Sequence, residues 1–585
     1  MKKLLLLGLL LIYSTSGLLA QIFIQEATDK SIEITPRGIK GAGTNSVSTT
    51  TLLFGPGIPA IDNSKPNNTV IGAQAAGLGG LFLHSTVFGY RAFYNSSTIS
   101  GGSTSHNIAV GSQAMLNSRG GENLAIGFEA LRSGDTPTDN LGVRNTAVGY
   151  SALRQNISGM NNTALGAFSL LSNTSGRDNV AIGAYSLISN TIGSNNVAIG
   201  VNALYRNTTG SENVAAGKNA LYNNTGGLRN TAVGFETQYF TIGSDNTAVG
   251  VQALRGSATV ADNTGGGNTA IGDNALLNNT SGNRNIAIGF GALSTNSTGS
   301  YNIALNNGLL LNTTGSYNIA AGNGALFSNR ANNGSTAIGS SAMIFADNRT
   351  SDGRLTYNTA VGYESLRGST TASNNTGRYN SAGGAQALRL VSSGSNNTAV
   401  GSLAGNTIST GHNNTAIGYD AQVPSGTTDN QIRIGNSSVT FACVQVAWTV
   451  TSDRRWKEQI RPLNLGSDFI GQLRPVSYHR KNNANADVET GLIAQDLAVT
   501  LRQLNAPSLG LLQKNTKGFY SVRYTDLLMP LIKALQEQQL QMDEWKVTNT
   551  QAKLTNEQFT AENEAVAAKI SRIKALLEAI ENTRK

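Results

Sequence analysis

The amino-acid sequence predicts a mainly β protein, in which a parallel β-roll, or solenoid, forms a shaft that is followed by a smaller domain and a C-terminal coiled coil. Three observations predict this arrangement. A short unit recurs between about residues 67 and 440, the composition changes near residue 440, and a seven-residue apolar pattern covers residues 528–580. Solenoids and coiled coils bury their apolar residues against neighbouring units or chains, so we expect an assembled fibre.

The composition of the 585 residues is that of a repeat protein. Charged residues make up 13% and 67 residues are glycine, whereas about a quarter charged and about 7% glycine are typical. Disorder is disfavoured because Ala, Val, Ile and Leu recur regularly and only 10 residues are proline. The net charge of +9 is not gathered into a dense Lys/Arg run, and nucleic-acid binding is therefore not predicted.

The N-terminus has the pattern of a signal peptide. Two lysines, Lys2 and Lys3, precede an apolar run over residues 4–12, and small and polar residues lead to Ala20. We expect residues 1–20 to be removed, and the mature chain to be secreted, extracellular or on a bacterial cell surface, without a transmembrane segment. Residues 21–66 carry no recognisable motif and are expected to cap or attach the shaft.

Cysteine and histidine usage predicts neither a disulfide nor a metal site. Cys443 is the single cysteine, and a buried structural role is favoured over a thiol nucleophile. The four histidines, His84, His106, His412 and His479, are far apart and lack ligand spacing. We expect no cofactor and no metal.

The repeated unit has the core N-[TVI]-A-[IVL]-G. Successive unit glycines are 17 residues apart, as in the series Gly149, Gly166, Gly183 and Gly200. A second apolar pair follows each glycine, so we expect two short strands and two turns per unit. We expect Asn and Gly to serve tight corners, because both tolerate left-handed backbone conformations. About twenty coils stacked about 4.8 Å apart would give a shaft about 100 Å long.

Some units are about five residues longer than the rest. Three of these insertions begin alike, at Leu131-Arg132, Leu254-Arg255 and Leu366-Arg367. They are expected to bulge from one side of the shaft, either as binding loops or as plain tolerated insertions. Many units also match N-x-[ST], for example at Asn162 and Asn207, but the repeat requires these residue types without any glycan chemistry.

The N-T-A-I-G units resemble the head repeats of trimeric autotransporter adhesins. The resemblance covers roughly two thirds of the chain. It implies left-handed parallel β-rolls that associate as homotrimers, with host or cell-surface glycans or proteins as candidate partners.

Four sequence blocks follow the change of composition and mark a domain over about residues 441–545. They read S-D-R-R-W-K-E-Q-I at 452–460, L-R-P-V-S-Y at 473–478, G-L-I-A-Q-D at 491–496 and Y-S-V-R-Y at 520–524. In this order they resemble the intramolecular chaperone domain, a small α+β domain, of phage endosialidases, tail spikes and related fibres. The resemblance implies autoproteolysis after trimer folding, with Ser452 and Lys457 as the catalytic dyad and Asp453 beside the cleavage site.

The chemistry of such a dyad has a physical basis. A serine hydroxyl needs a base to take its proton, and a lysine can be that base when burial or a nearby cation lowers its pKa. Arg454, Arg455 and Trp456 are close enough in sequence to supply this environment. The alternative is that Ser452 and Lys457 merely open a strand or turn.

The last segment, residues 528–585, predicts a coiled coil of three or more strands. Its core positions are Leu528, Leu531, Leu535, Gln538, Met542, Trp545, Asn549, Ala552, Asn556, Phe559, Asn563, Val566, Ile570, Ile573, Leu577 and Ile580. Asn549, Asn556 and Asn563 are expected to weaken the middle of the coil and fix its register, an anion-binding role being the alternative. A long helix packed on its own domain is the competing interpretation.

Two functions follow from these patterns. The first is an adhesive or structural fibre whose only chemistry is self-processing. The second is a polysaccharide-binding or polysaccharide-degrading spike matured by the same chaperone, which would carry paired carboxylates. The acidic residues of the repeats are scattered singly, as at Asp178, Glu212, Asp245 and Asp273, and are interpreted as turn substitutions.

Overall fold

A computed structural model describes residues 67–77, 83–95, 105–133, 141–349, 353–439, 441–446, 448–479, 481, 488–506, 509–514 and 518–584, and the backbone of three strands upstream. The signal peptide predicted for residues 1–20 lies outside these residues. The chain divides into two units, Met1–Ile434 and Gly435–Lys585.

The first unit contains an antiparallel hairpin and a long parallel ladder. Strands β1 (Lys30–Thr35) and β2 (Gly38–Gly43) form the hairpin. In the described part of the chain the ladder has twenty-two three-residue strands, β3 to β24, each paired in parallel with the next. In order they are Leu52–Phe54, Thr69–Ile71, Thr86–Phe88, Ile108–Val110, Leu124–Ile126, Thr146–Val148, Thr163–Leu165, Val180–Ile182, Val197–Ile199, Val214–Ala216, Thr231–Val233, Thr247–Val249, Thr269–Ile271, Ile286–Ile288, Ile303–Leu305, Ile319–Ala321, Thr336–Ile338, Thr359–Val361, Ser381–Gly383, Thr398–Val400, Thr415–Ile417 and Ile432–Ile434. The predicted parallel solenoid is confirmed.

The prediction of a second strand in each unit is wrong. The pair Ala203-Leu204 lies in a turn, and Leu204 has a φ of 54°. Both side chains are fully buried in the same core, whereas adjacent residues of a strand point to opposite faces. The left-handed conformation at Leu204 brings both side chains inward, which a strand cannot do.

The unit glycine is required by the close approach of successive coils. Gly183 has a φ of 128°, and a Cβ atom placed there would lie 2.7 Å from the carbonyl carbon and oxygen of Gly200 in the next coil. A side chain therefore meets both a strained backbone and a backbone clash.

The unit asparagine has a different role from the predicted one. Asn179 is fully buried, and its φ is not positive, so it serves no left-handed corner. Its Nδ2 donates to Asn162 Oδ1 at 3.0 Å and to the Gly193 carbonyl at 2.9 Å, and its Oδ1 accepts from the backbone N–H of Asn196 at 3.0 Å. The same bonds recur from coil to coil and form a buried asparagine ladder.

A second buried ladder runs through the turns. Asn190 donates to Asn173 Oδ1 at 2.8 Å, and Asn207 donates to Asn190 Oδ1 at 2.7 Å. Asn207 and Asn162 are both fully buried. The N-x-[ST] matches at these two positions therefore arise from the ladders, as the sequence suggested.

Two of the three predicted insertion loops share one structure. Each leaves its coil four residues after the unit glycine and contains a short 3₁₀ turn, Val260–Asp262 or Ala372–Asn374. The side chain of Asn263 or Asn375 closes the loop by bonding the backbone of Ser257 or Ser369. Residues 134–140 of the remaining insertion lie outside the described residues.

The second unit is a small helical and hairpin domain. Helices α1 (Ser467–Gln472), α2 (Ala494–Gln503) and α3 (Leu528–Thr583) accompany two antiparallel hairpins, β25 (Pro475–Tyr478) with β26 (Glu489–Leu492), and β27 (Leu512–Lys514) with β28 (Tyr520–Val522). Its core consists of Leu465, Phe469, Leu497, Leu501 and Leu511.

Cys443 precedes this core in a segment without helix or strand, and its side chain is exposed. The prediction that Cys443 is buried is therefore wrong for this chain. The reason is that residues 441–446 and 448–451 lie outside the packed core.

Glu537 connects the long helix α3 to helix α1. Its Oε2 accepts from the backbone N–H and from the hydroxyl of Ser467, both at 2.7 Å, at the start of α1. These bonds, the backbone one first, hold the pKa of Glu537 below its ordinary value of 4.5. A carboxylate at this position also suits the N-terminal end of a helix.

We predict an acid-dependent loss of this contact. Because the pKa of Glu537 is lowered on folding, its contribution to stability is complete above pH 4.5 and is lost as the pH falls further. The melting temperature of the helical circular dichroism signal should fall less between about pH 5 and about pH 3 in Glu537→Gln than in the wild type. Glu557→Gln, at an exposed position of α3, is the control, and an equal fall in all three proteins contradicts the assignment.

The asparagine ladder makes a second prediction. Asn179→Ala leaves the buried Asn196 N–H without its side-chain acceptor and removes one of two donors from Asn162 Oδ1 and from the Gly193 carbonyl. A buried polar group left unsatisfied costs about 1–3 kcal/mol, so we expect a loss of at least that size. The control Asn195→Gly changes the exposed corner residue next to Asn196, and glycine also adopts the positive φ of Asn195. It should therefore lower the free energy of unfolding by less than about 1 kcal/mol. Urea unfolding followed by circular dichroism compares the two, and equal midpoints would show that the ladder does not stabilise the shaft.

Candidate functional site

The Ser452 and Lys457 side chains meet across a tight turn. A 3₁₀ turn, Arg454–Trp456, reverses the chain, with the Lys457 N–H donating to the Arg454 carbonyl at 3.0 Å. Lys457 Nζ lies 2.6 Å from Ser452 Oγ. The two predicted dyad residues are therefore in direct hydrogen-bond contact, the distance that proton transfer between a serine and its base requires.

Asp453 holds this turn in place. Its carboxylate accepts from the Arg455 backbone N–H at 2.8 Å and pairs with the Arg455 guanidinium at 2.7 Å. The side-chain bond from Arg455 is the larger cause, and the backbone bond the next, of a lowered pKa at Asp453. The structure therefore assigns Asp453 to the turn, with Arg455 as its partner.

The surroundings of the dyad differ from the expected ones. Ser452 and Lys457 are both exposed, and the Trp456 side chain is 81% exposed. The guanidinium of Arg455 pairs with Asp453. The desolvating environment suggested by Arg454, Arg455 and Trp456 is thus not formed within the described residues of this unit, and any burial of the dyad requires further protein surface.

The other sequence blocks form the frame of the small domain. Residues 473–478 and 491–496 form the first hairpin and the start of α2, where Arg474 pairs with Asp496 at 3.2 Å. The Tyr524 hydroxyl accepts from the Leu492 N–H at 2.9 Å. A Cβ atom at Gly491 would lie 2.5 Å from that hydroxyl, which explains the glycine. No motif of the sequence predicted this contact.

The helix α3 exposes its predicted core positions. Its 56 residues correspond to about 84 Å, and within them only Pro530 and Ala534 are buried. Trp545, Phe559 and Ile570 are exposed, as are Asn549, Asn556 and Asn563. No helix among the described residues is both long and apolar enough to cross a membrane.

The shaft exposes an apolar stripe, which we call the seam. It consists of the third residue of each strand from β4 to β24, and every one of these is apolar or glycine. Fourteen of the side chains are exposed, from 37% at Leu305 to 62% at Ile434, so the stripe continues along the ladder. They are Phe88, Ile126, Leu165, Ile199, Val233, Val249, Ile271, Ile288, Leu305, Ile338, Val361, Val400, Ile417 and Ile434. Apolar stripes of this extent are typical of protein–protein contacts.

The acidic residues of the shaft occupy structural positions. Asp178, Glu212 and Asp245 have positive φ angles at exposed corners, as expected for turn substitutions. Glu129 and Glu364 each pair with the arginine at the start of an insertion and with a second arginine from the next coil. Asp273 instead accepts a bond from a backbone N–H in the preceding coil. Among the described residues, no group of His, Cys, Asp and Glu has the arrangement of a metal site.

Comparison with known proteins identifies the C-terminal domain. Residues 452–504 match the family described as chaperone of endosialidase. The match begins at Ser452 and includes Lys457 and α2. No curated protein and no solved structure matches the chain. The chain thus joins a parallel β-solenoid of about twenty turns to a chaperone-of-endosialidase domain.

Proposed function

We propose that this protein is a homotrimeric surface fibre that is exported, and that its C-terminal domain assembles the trimer and then cuts itself off at Ser452. The 2.6 Å contact between Lys457 Nζ and Ser452 Oγ, at the first residue of the chaperone-of-endosialidase match, carries the proposal. The shaft would act as an adhesive or structural element, with glycans or proteins of a host or cell surface as partners.

Self-cleavage uses the dyad in the following way. Lys457 takes the proton of the Ser452 hydroxyl, and the alkoxide attacks a carbonyl of the adjoining backbone to form an ester. The peptide C–N bond at that carbonyl breaks, and Lys457 returns the proton to the departing amine. Water then hydrolyses the ester, which frees the serine hydroxyl and leaves the chain cut. A lysine acts as a base when its surroundings disfavour its charged form. Because both groups are exposed in one chain, we propose that neighbouring copies cover the dyad, which makes cleavage depend on assembly.

The exposed apolar surfaces support a trimer. The seam on the shaft and the core positions of α3 would each be buried by identical surfaces of two other copies. Neither surface carries a charge at its central positions, which suits a symmetric contact, because a charge there would face its own copies. Isoleucine at both Ile570 and Ile573, and leucine before isoleucine at Leu577 and Ile580, favour three or more strands.

The dyad is tested by cleavage of the whole chain. Wild type should yield a shaft of about 430 residues and a tail of about 130 on a denaturing gel after removal of the signal peptide. Ser452→Ala and Lys457→Ala should both leave the chain whole, because one removes the nucleophile and the other the base. Arg461→Ala, an exposed cation outside the turn, is the control. Cleavage of Lys457→Ala at the wild-type rate would contradict the assigned base.

The trimer is tested at the coil. Ile570→Glu places three like charges together on the axis of the assembly, and we expect trimer affinity to fall by roughly 100-fold or more. Ala568→Glu, two residues away on the opposite side of the predicted coil, should leave the trimer intact. Native mass spectrometry compares the two variants with the unchanged coil, all in the Ser452→Ala background that keeps the coil attached, and equal masses for Ile570→Glu and the unchanged coil would contradict the coil.

A further inference from the structure

The segment between the ladder and Ser452 carries the pattern of a strand. Residues 439–451 read V-T-F-A-C-V-Q-V-A-W-T-V-T and contain no Gly, Pro, Asn or Asp, unlike the repeats before them. Large apolar residues alternate at Val444, Val446, Trp448 and Val450. Valine, threonine and aromatic residues with a period of two are typical of β-strands with one buried face.

This strand pattern has no partner within the described chain. Residues 441–446 and 448–451 belong to no helix or strand. Val446 is 77% exposed, Trp448 75% and Val450 82%. A segment with one strongly apolar face and an unpaired backbone is a site of strand pairing with another chain.

We infer that residues 443–451 form a strand that packs against the same segment of two other copies, with the side chains of Val444, Val446, Trp448 and Val450 on the shared axis. This inference rests on the proposed homotrimer and specifies one of its contacts. The opposite face, with Cys443, Gln445 and Thr449, stays in water.

Two observations favour copies of this chain over a different protein as the partner. No charged residue occurs between Arg433 and Asp453. A self-contact on a symmetry axis requires an uncharged surface of this kind, whereas a foreign partner would find no charge on the segment to recognise. The segment also lies in sequence between two surfaces suited to self-association. The seam ends at Ile434, which is 62% exposed, and the coiled-coil pattern begins at Leu528.

The inferred contact gives a reason for the position of Ser452 directly after this segment. Thr451, the last residue of the segment, is bonded directly to Ser452. Strands packed on one axis would hold the three Ser452 residues at the same level. Cleavage would then be available only to chains aligned in register.

Cysteine accessibility in the assembled protein tests the inference. The background is the full chain with Cys443→Ser, and with Ser452→Ala to keep it whole. Gln445→Cys and Val446→Cys are adjacent positions on opposite faces. We expect maleimide to label Gln445→Cys roughly ten times faster than Val446→Cys in the native protein, because the assembly buries the thiol at position 446. In denaturant both thiols are accessible, and we expect equal labelling rates. The Val450→Cys and Thr449→Cys pair repeats the comparison.

The outcomes separate this inference from the proposed trimer. Equal native labelling in a protein with the mass of three chains overturns the strand contact and leaves the trimer standing. A mass of one chain for the background protein and for all four cysteine variants overturns both. If Val446→Cys and Val450→Cys fail to assemble while Gln445→Cys and Thr449→Cys assemble, the loss of mass itself supports the inferred face.

Discussion

The hydrogen bonds that join each coil to the next are the interaction on which the shaft depends. Three-residue strands bury little, and the core columns are mainly alanine and leucine. Each coil is instead held by backbone bonds and by buried asparagines such as Asn179, which bonds the coils before and after it. In a protein interior such bonds are costly to leave unmade, so every coil requires the next one. This is why so polar a sequence folds without a disulfide.

Stacking of the coils buries the apolar side chains on the inner face of the shaft, whereas those of the seam stay exposed. Side chains such as Ile199 and Val400 remain about half exposed, and the apolar residues of α3 are exposed in the same way. Both surfaces are long, continuous and uncharged at their centres. Partners with the same repeat would match them along their whole length, which is the property that the proposed trimer uses.

The sequence was informative where periodicity determines structure. The 17-residue spacing predicted a parallel ladder, because equal spacing places identical residues in register. The contact of Ser452 with Lys457 lies within a six-residue turn, and the motif was sufficient to nominate both residues. The resemblance to a chaperone domain is supported by the family match over residues 452–504.

Other features could not be read from the sequence, for physical reasons. The apolar pair Ala203 and Leu204 was interpreted as part of a strand. The left-handed backbone that turns both side chains inward is set by packing, so the local sequence does not indicate it. The role of Asn179 depends on residues in neighbouring coils, and local propensity suggested a corner instead. Cys443 was expected inside because cysteines usually are, but the segment around it finds no cover within the described chain. The bond between Tyr524 and Leu492 joins two blocks far apart in sequence.

The most direct test is sedimentation equilibrium of the purified Ser452→Ala protein, which keeps shaft and helix in one chain, over a range of concentrations. A chain whose seam and helix are completed by its own copies should give one mass, three times that of a single chain and independent of concentration. A stable mass of one chain, with the ladder intact by circular dichroism, would show that these apolar surfaces need no partner and would contradict the account.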